Sequence, residues 1–64
     1  MRRAREALSR LPDPQRMAVT LRVVESLDYL EVARRLGVEP ALARQWVCRG
    51  LKRLREELDG VRHG

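Results

Sequence analysis

The chain has 64 residues and a formal net charge of +5; 44% of its residues are hydrophobic and 3% are aromatic. A chain of this length forms one domain, because it buries only about 60% of its unfolded surface and has no room for a large enclosed active site. No catalytic carboxylate pair, nucleophile–base set, glycine-rich phosphate loop or metal cluster is visible in the sequence. We therefore expect a non-enzymatic protein without a cofactor.

The cysteine content and the length of the apolar runs further limit the class of protein that this chain can belong to. Cys48 is the one cysteine, so no internal disulfide forms, and a single thiol with the distant His63 cannot build a metal site. The longest uninterrupted apolar run is three residues. This is too short to cross a membrane, and the N-terminus lacks the apolar stretch of a signal peptide. We expect a cytoplasmic protein with no membrane association.

Two helices are predicted in the first half of the chain. Apolar residues at helical spacing predict a first helix over residues 2–11, which Pro12 ends. Asp13 then fits the N-cap and Pro14 the first position of a second helix. This second helix is predicted to run to about Leu27. Its broad apolar face indicates contacts with neighbours on more than one side.

A third helix and a tight turn follow. Asp28 is a good N-cap, and Glu31 stands at the spacing of a capping box. Gly37 is predicted to end this helix, because glycine adopts a positive φ without steric cost. Val38 is then expected to turn inward, and Pro40 to begin a fourth helix.

The fourth helix has a clear apolar stripe. We predict an inner face formed by Ala43, Val47, Leu51, Leu54 and Leu58. Gly50 interrupts this helix at a cost of roughly 1 kcal/mol relative to alanine, which we interpret as a place where another helix approaches closely. Trp46 is interpreted as a core residue that covers the small side chains beside it, with a DNA or partner contact left open.

The positive charge is concentrated in this fourth helix. Residues 40–55 contain five basic residues and no acid, while the remaining nine basic residues are balanced by nine acidic ones. Helix, glycine-containing turn and basic second helix form the helix-turn-helix arrangement. A merely solvated charged face is the alternative interpretation.

The solvent side of the fourth helix offers suitable groups for reading DNA. Arginine reads guanine and glutamine reads adenine, while further cations hold phosphates. The predicted outward residues are Arg44, Gln45, Cys48, Arg49, Lys52 and Arg53.

Three segments resemble one protein family. They are L-P-D-P-Q-R-M-A-V-T-L-R from residue 11, D-Y-L-E-V-A-R-R-L-G-V from residue 28, and R-Q-W-V-C-R-G-L-K-R-L-R from residue 44. They resemble the C-terminal domain, region 4, of bacterial extracytoplasmic-function sigma factors, over residues 4–58. The resemblance implies an all-α, four-helix bundle with a C-terminal helix-turn-helix, whose last helix enters the major groove of the promoter −35 element.

The resemblance also implies partners and site residues. The implied partners are duplex DNA, the flap of the RNA polymerase β subunit, and an anti-sigma factor that sequesters the domain. The implied base-reading residues are Arg44, Gln45, Cys48 and Arg49. The expected phosphate contacts are Arg22, Tyr29, Lys52 and Arg53.

Two departures from the family keep alternatives open. Residues 39–43 lack the hydroxyl cap and the threonine with which the family begins this helix, and Glu39 adds a negative charge there. No counterpart of region 2 is present, so an excised domain and a stand-alone protein are both compatible with the sequence. One alternative is a stand-alone sigma-like module that binds RNA polymerase, a sigma factor or an anti-sigma factor, with weak or no DNA reading. Another is a homodimeric helix-turn-helix regulator, and the oligomeric state stays open, a monomer included. We expect a domain over 1–59 and a flexible tail over 60–64.

Overall fold

The computed structural model describes the backbone from Arg2 to His63 and the side chains from Arg5 to Asp59. Over this range the chain is all-helical and contains no strand, which confirms the expected all-α class. Its elements in chain order are α1 (Arg2–Ser9), α2 (Asp13–Val19), a π-helical turn (Thr20–Val24), α3 (Tyr29–Leu36) and α4 (Pro40–His63).

The first helix ends earlier than predicted. α1 stops at Ser9, and the amides of Arg10 and Leu11 donate to the carbonyls of Ala7 and Leu8 at 3.1 Å each. These shorter-range bonds close a tight turn ahead of the proline. Leu11 therefore lies outside the helix, yet it is only 3% exposed and contributes to the core.

The start of α2 is shifted by one residue from the prediction. Pro12 is the N-cap, with φ −57° and ψ 149°, and no side chain caps the helix. Asp13 is the first helical residue and Pro14 the second, so the predicted N-cap was wrong. Asp13 pairs with Arg16, and a carboxylate in the first turn also interacts favourably with the helix dipole.

A π-helical turn replaces the predicted continuation of α2 to Leu27. The amide of Glu25 donates to the carbonyl of Thr20 at 3.0 Å, five residues back. Ser26 then adopts a left-handed conformation with φ 60°, and the amide of Leu27 donates to the carbonyl of Leu21 at 3.1 Å. The predicted end of this helix was wrong, because sequence periodicity does not register a local change of pitch.

The third helix and its turn form as predicted. Oδ1 of Asp28 accepts a hydrogen bond from the amide of Glu31 at 2.9 Å. The carboxylate of Glu31 pairs with two arginines further along the helix. Gly37 ends the helix with φ 69°, and the amide of Val38 donates to the carbonyl of Ala33 at 3.0 Å. These bonds use backbone groups that a helix end would otherwise leave unpaired.

The core is small and aliphatic, and α4 is its centre. α4 begins at Pro40, as predicted, and packs against α1, α2 and α3. The buried cluster consists of Ala18, Val32, Ala33, Ala43 and Val47. Further along α4, Nη1 of Arg10 lies 3.2 Å from Oε1 of Glu57. Both side chains of this pair are partly exposed, so it contributes little stability.

The inner face of α4 differs from the predicted stripe at one position. Gly50 is buried against α2, where a Cβ atom would lie 2.5 Å from Cγ2 of Val19, so the expected close approach is confirmed. Leu51, predicted to be internal, is 40% exposed, while Leu54 and Leu58 are half-buried. Because the contact with α2 is made at the glycine, Leu51 lies beside that contact and borders solvent.

Candidate nucleic-acid interface

One side of α4 faces solvent with polar and basic side chains. We call it the recognition face and define it by Arg44, Gln45, Cys48, Arg49, Lys52 and Arg53, all of which are exposed as predicted. The opposite side of the helix is buried in the core. This division follows from the helical repeat, which places residues three and four apart on one face.

The described cations of α4 form no ion pairs, although Glu56, Glu57 and Asp59 follow them on the same helix. Four arginines elsewhere in the described chain pair with carboxylates. Among the side chains from Arg5 to Asp59, no such pair is formed by Arg44, Arg49, Lys52, Arg53 or Arg55. Charge of one sign that is left unpaired on one face produces a local field that attracts a polyanion.

The order of side chains along the recognition face suits a helix that enters the major groove N-terminal end first. Arg44 and Gln45 lie in the first turns of α4, and Arg49 follows one turn later. A guanidinium can bond O6 and N7 of guanine, and a carboxamide can bond N6 and N7 of adenine. Lys52 and Arg53 lie further along, where a helix in the groove runs beside the phosphate backbone.

The structure shows where the side chains of Trp46 and Cys48 on α4 lie. Trp46 is half-buried and packs against the core cluster, which supports the core interpretation. Cys48 is exposed and carries a free thiol, so its predicted outward position is confirmed. Because Cys48 lies at the middle of the recognition face, its thiol is available for contact with whatever this face binds.

Arg22 and Tyr29, expected to contact phosphate, lie beside the recognition face and are half-buried. Nη1 of Arg22 donates to the carbonyl of Leu27 at 3.3 Å. The Cζ atom of Arg22 lies 5.1 Å from the centroid of the Tyr29 ring, within the range of a cation–π contact. Sequence reasoning missed this contact, because it depends on the bend at Ser26.

The start of α4 carries a negative charge. Glu39 is exposed, and its carbonyl accepts the amide of Ala43 at 3.0 Å. A helix N-terminus ordinarily attracts phosphate. The carboxylate of Glu39 opposes this attraction at the end of the helix that would enter the groove.

Two open grooves lie on the surface of the described residues. The α1–α2 groove has a volume of about 310 Å³ and is lined by Arg5, Leu8, Ser9, Arg16, Met17, Thr20 and Leu21. The central groove has a volume of about 360 Å³ and is lined by Arg22, Val23, Ser26, Tyr29, Val47 and Leu51. The sequence indicated the apolar surface of the α1–α2 groove through the broad apolar face predicted for the second helix, which supplies Met17 and Leu21.

The described residues suggest no other kind of site. No group of three or more histidine, cysteine, aspartate or glutamate side chains in the described part of the chain is placed to hold a metal ion. None of the helices in that part combines the length and apolar character needed to cross a bilayer.

A helix, a left-handed glycine turn and a second helix with an acid-free basic face define a helix-turn-helix protein of the DNA-binding class. Comparison with known families agrees: the family described as sigma-70, region 4 matches residues 1–54. The chain therefore belongs to the sigma-70 region 4 family, whose domains are regulatory components of transcription that interact with DNA and RNA polymerase. Searches of curated proteins and of solved structures found no match.

Proposed function

We propose that this domain binds promoter DNA of the −35 type by inserting the recognition face into the major groove. The observation that carries the proposal is the set of basic side chains on α4, from Arg44 to Arg55, that form no ion pair with an acidic side chain between Arg5 and Asp59. Counterion release from DNA favours binding to such a face whatever the sequence. Contacts to base edges then select the site.

Each residue of the face has a role in this proposal. Arg44 and Arg49 read guanine and Gln45 reads adenine, while the small thiol of Cys48 packs against a base edge such as the thymine methyl. Phosphate contacts come from Lys52, Arg53 and Tyr29, with Arg22 behind the tyrosine ring.

A selection from random duplexes at low salt, followed by affinity measurements, tests this function. Arg44→Ala or Arg49→Ala is expected to weaken the selected duplex by about 1–3 kcal/mol and to relax the preference at one base position. Arg34→Ala on α3 is the matched control, because it removes the same charge from an exposed position outside the recognition face. Binding that does not weaken as salt rises, or no binding to any duplex, contradicts the proposal.

We also propose that the polymerase β flap docks in the α1–α2 groove. The groove is lined by Leu8, Met17 and Leu21, with Arg5 and Arg16 among its lining residues. Met17 is 49% exposed and lies in one groove with Leu8 and Leu21, and contiguous apolar surface of this kind is typical of a binding site. Met17→Glu is expected to abolish flap binding and to leave duplex binding intact.

The packing of the helices is compatible with a DNA-binding and polymerase-binding domain. α4 packs against every other α-helix, which supports the four-helix bundle that the resemblance implies. We propose that this bundle corresponds to a domain over residues 1–59. A flexible tail over 60–64 stays a prediction from the sequence: the backbone of α4 continues to His63, and the side chains from residue 60 onward lie outside the described residues.

A second function is favoured by the carboxylate of Glu39 at the entering end of α4. In this version the domain is an interaction module for RNA polymerase, a sigma factor or an anti-sigma factor, and its DNA reading is weak or absent. A pull-down that recovers a flap fragment, together with no sequence preference in the duplex selection, supports this version. A strong sequence preference, lost in Arg49→Ala, supports promoter reading.

A further inference from the structure

The guanidinium of Arg22 makes its observed contacts inside the protein. Nη1 donates to the carbonyl of Leu27 at 3.3 Å, and the group lies over the Tyr29 ring at 5.1 Å. Nε is buried and has no partner among the described residues. A buried donor without a partner costs about 1–3 kcal/mol, so the packing around Arg22 holds it in place against that cost.

The contacts of Arg22 join two elements that the chain separates by a bend. Arg22 belongs to the π-helical turn, whereas Tyr29 is the first residue of α3. Between them, Ser26 has a φ of 60°, a conformation that costs a residue with a side chain roughly 1–2 kcal/mol. The guanidinium therefore spans the bend and fixes the start of α3 relative to the π-helical turn.

The start of α3 lies next to the recognition face. Tyr29 and Leu51 line the same groove. Leu51 is three residues after Cys48, so it borders the recognition face on the surface of α4. A phosphate backbone that passes the recognition face on this side comes within reach of Tyr29.

We propose that Arg22 is a positioning residue, which holds Tyr29 and the start of α3 for contact with the DNA backbone and does not itself bind phosphate. The proposal rests on the proposed DNA binding. It uses two properties of arginine together: a planar fork that donates in its plane to a carbonyl, and a flat face that stacks on an aromatic ring. A lysine ammonium keeps the charge but is a point donor without such a face.

Affinity for the selected duplex, measured over a range of salt concentrations, tests the proposal. Tyr29→Phe removes the hydroxyl and keeps the ring, and Arg22→Gln removes the support. Each is expected to weaken binding by about three- to tenfold. Because Arg22 acts through Tyr29, the double variant is expected to bind no more weakly than Arg22→Gln alone. Arg22→Lys is expected to lose affinity as well, although it keeps the charge.

The salt dependence separates support from direct contact. The slope of log affinity against log salt is expected to match the wild type in Arg22→Gln and to fall by about 0.9 in Lys52→Gln, the direct-contact control. A slope reduced by about one in Arg22→Gln, losses that add in the double variant, or unchanged affinity in a folded Arg22→Gln each overturns the proposal.

A measurement on the wild type covers the case in which Arg22 variants do not fold. The Nε–H resonance of Arg22 is expected to exchange slowly with solvent and to keep its chemical shift when DNA is added. A shift as large as that of the Arg44 Nε–H overturns the proposal. If the wild type binds no duplex, the proposed DNA binding itself is contradicted. If the wild type binds and one of the outcomes above is found, only the Arg22 proposal fails.

Discussion

Gly50→Ala tests the packing that orients α4. In an ordinary helix this substitution stabilises by about 1 kcal/mol. Here the new Cβ atom would lie 2.5 Å from Cγ2 of Val19 and 3.3 Å from the carbonyl oxygen of Gln15. Ordinary carbon contacts lie at about 3.5–4.0 Å, so α2 and α4 must separate by roughly 1 Å. Val19 cannot easily rotate away, because it is 2% exposed and a β-branched side chain strongly prefers one rotamer in a helix.

The expected magnitude follows from these two opposing effects. Overpacking of a core costs about 1–3 kcal/mol, and the better helix propensity of alanine offsets about 1 kcal/mol of it. We therefore expect the free energy of unfolding to fall by up to about 2 kcal/mol, and not to rise. For a domain of this size a loss of about 2 kcal/mol lowers Tm by roughly 8–16 °C, which thermal unfolding followed by circular dichroism detects.

Two further variants make the test specific. Adding Val19→Ala to Gly50→Ala removes the clashing methyl, so the double variant is expected to be more stable than the sum of the two single losses predicts. Gly37→Ala is the control: nothing lies within 4 Å of its new Cβ, but its φ of 69° remains strained. Val19→Ala is therefore not expected to rescue it. A higher Tm in Gly50→Ala would refute the close approach of α2 and α4.

Two other predictions concern the ends of helices. Glu39→Gln removes a negative charge and is expected to raise the affinity for duplex DNA by about two- to threefold at low salt, a gain that fades as salt rises. Glu6→Gln on α1 is the control. An equal gain in affinity in Glu6→Gln argues against a local effect of Glu39. Ser26→Gly is expected to raise the free energy of unfolding by about 0.5–1 kcal/mol, because glycine relieves the strain of a φ of 60°. Ser26→Val is expected to lower it, and a less stable Ser26→Gly chain contradicts this reasoning.

The features predicted well from the sequence are those fixed by local chemistry. Asp28 as an N-cap, Gly37 as the left-handed residue and Pro40 as the start of α4 each follow from a few neighbouring residues. The exposed side of α4 followed from helical periodicity together with the uneven distribution of charge. The sequence was therefore sufficient for the helix-turn-helix and for the composition of the recognition face.

The features that were missed depend on contacts between distant parts of the chain. The π-helical turn and the bend at Ser26 have no short sequence signature, so the contact between Arg22 and the Tyr29 ring was not predicted. Leu51 fits the apolar period of α4, yet α2 packs at Gly50 and leaves it at the edge of a groove. Periodicity gives the direction of a side chain and does not say whether another element is there to cover it.

Protection of Cys48 by DNA tests the central claim most directly. Cys48 is the single cysteine, it is exposed, and it lies at the middle of the recognition face. Saturating amounts of the selected duplex are expected to slow its alkylation strongly. A Ser9→Cys/Cys48→Ser variant, whose thiol lies in the α1–α2 groove, is expected to react at the same rate with and without DNA. If the duplex is bound and Cys48 still reacts at the rate of the free protein, α4 is not the surface that contacts DNA.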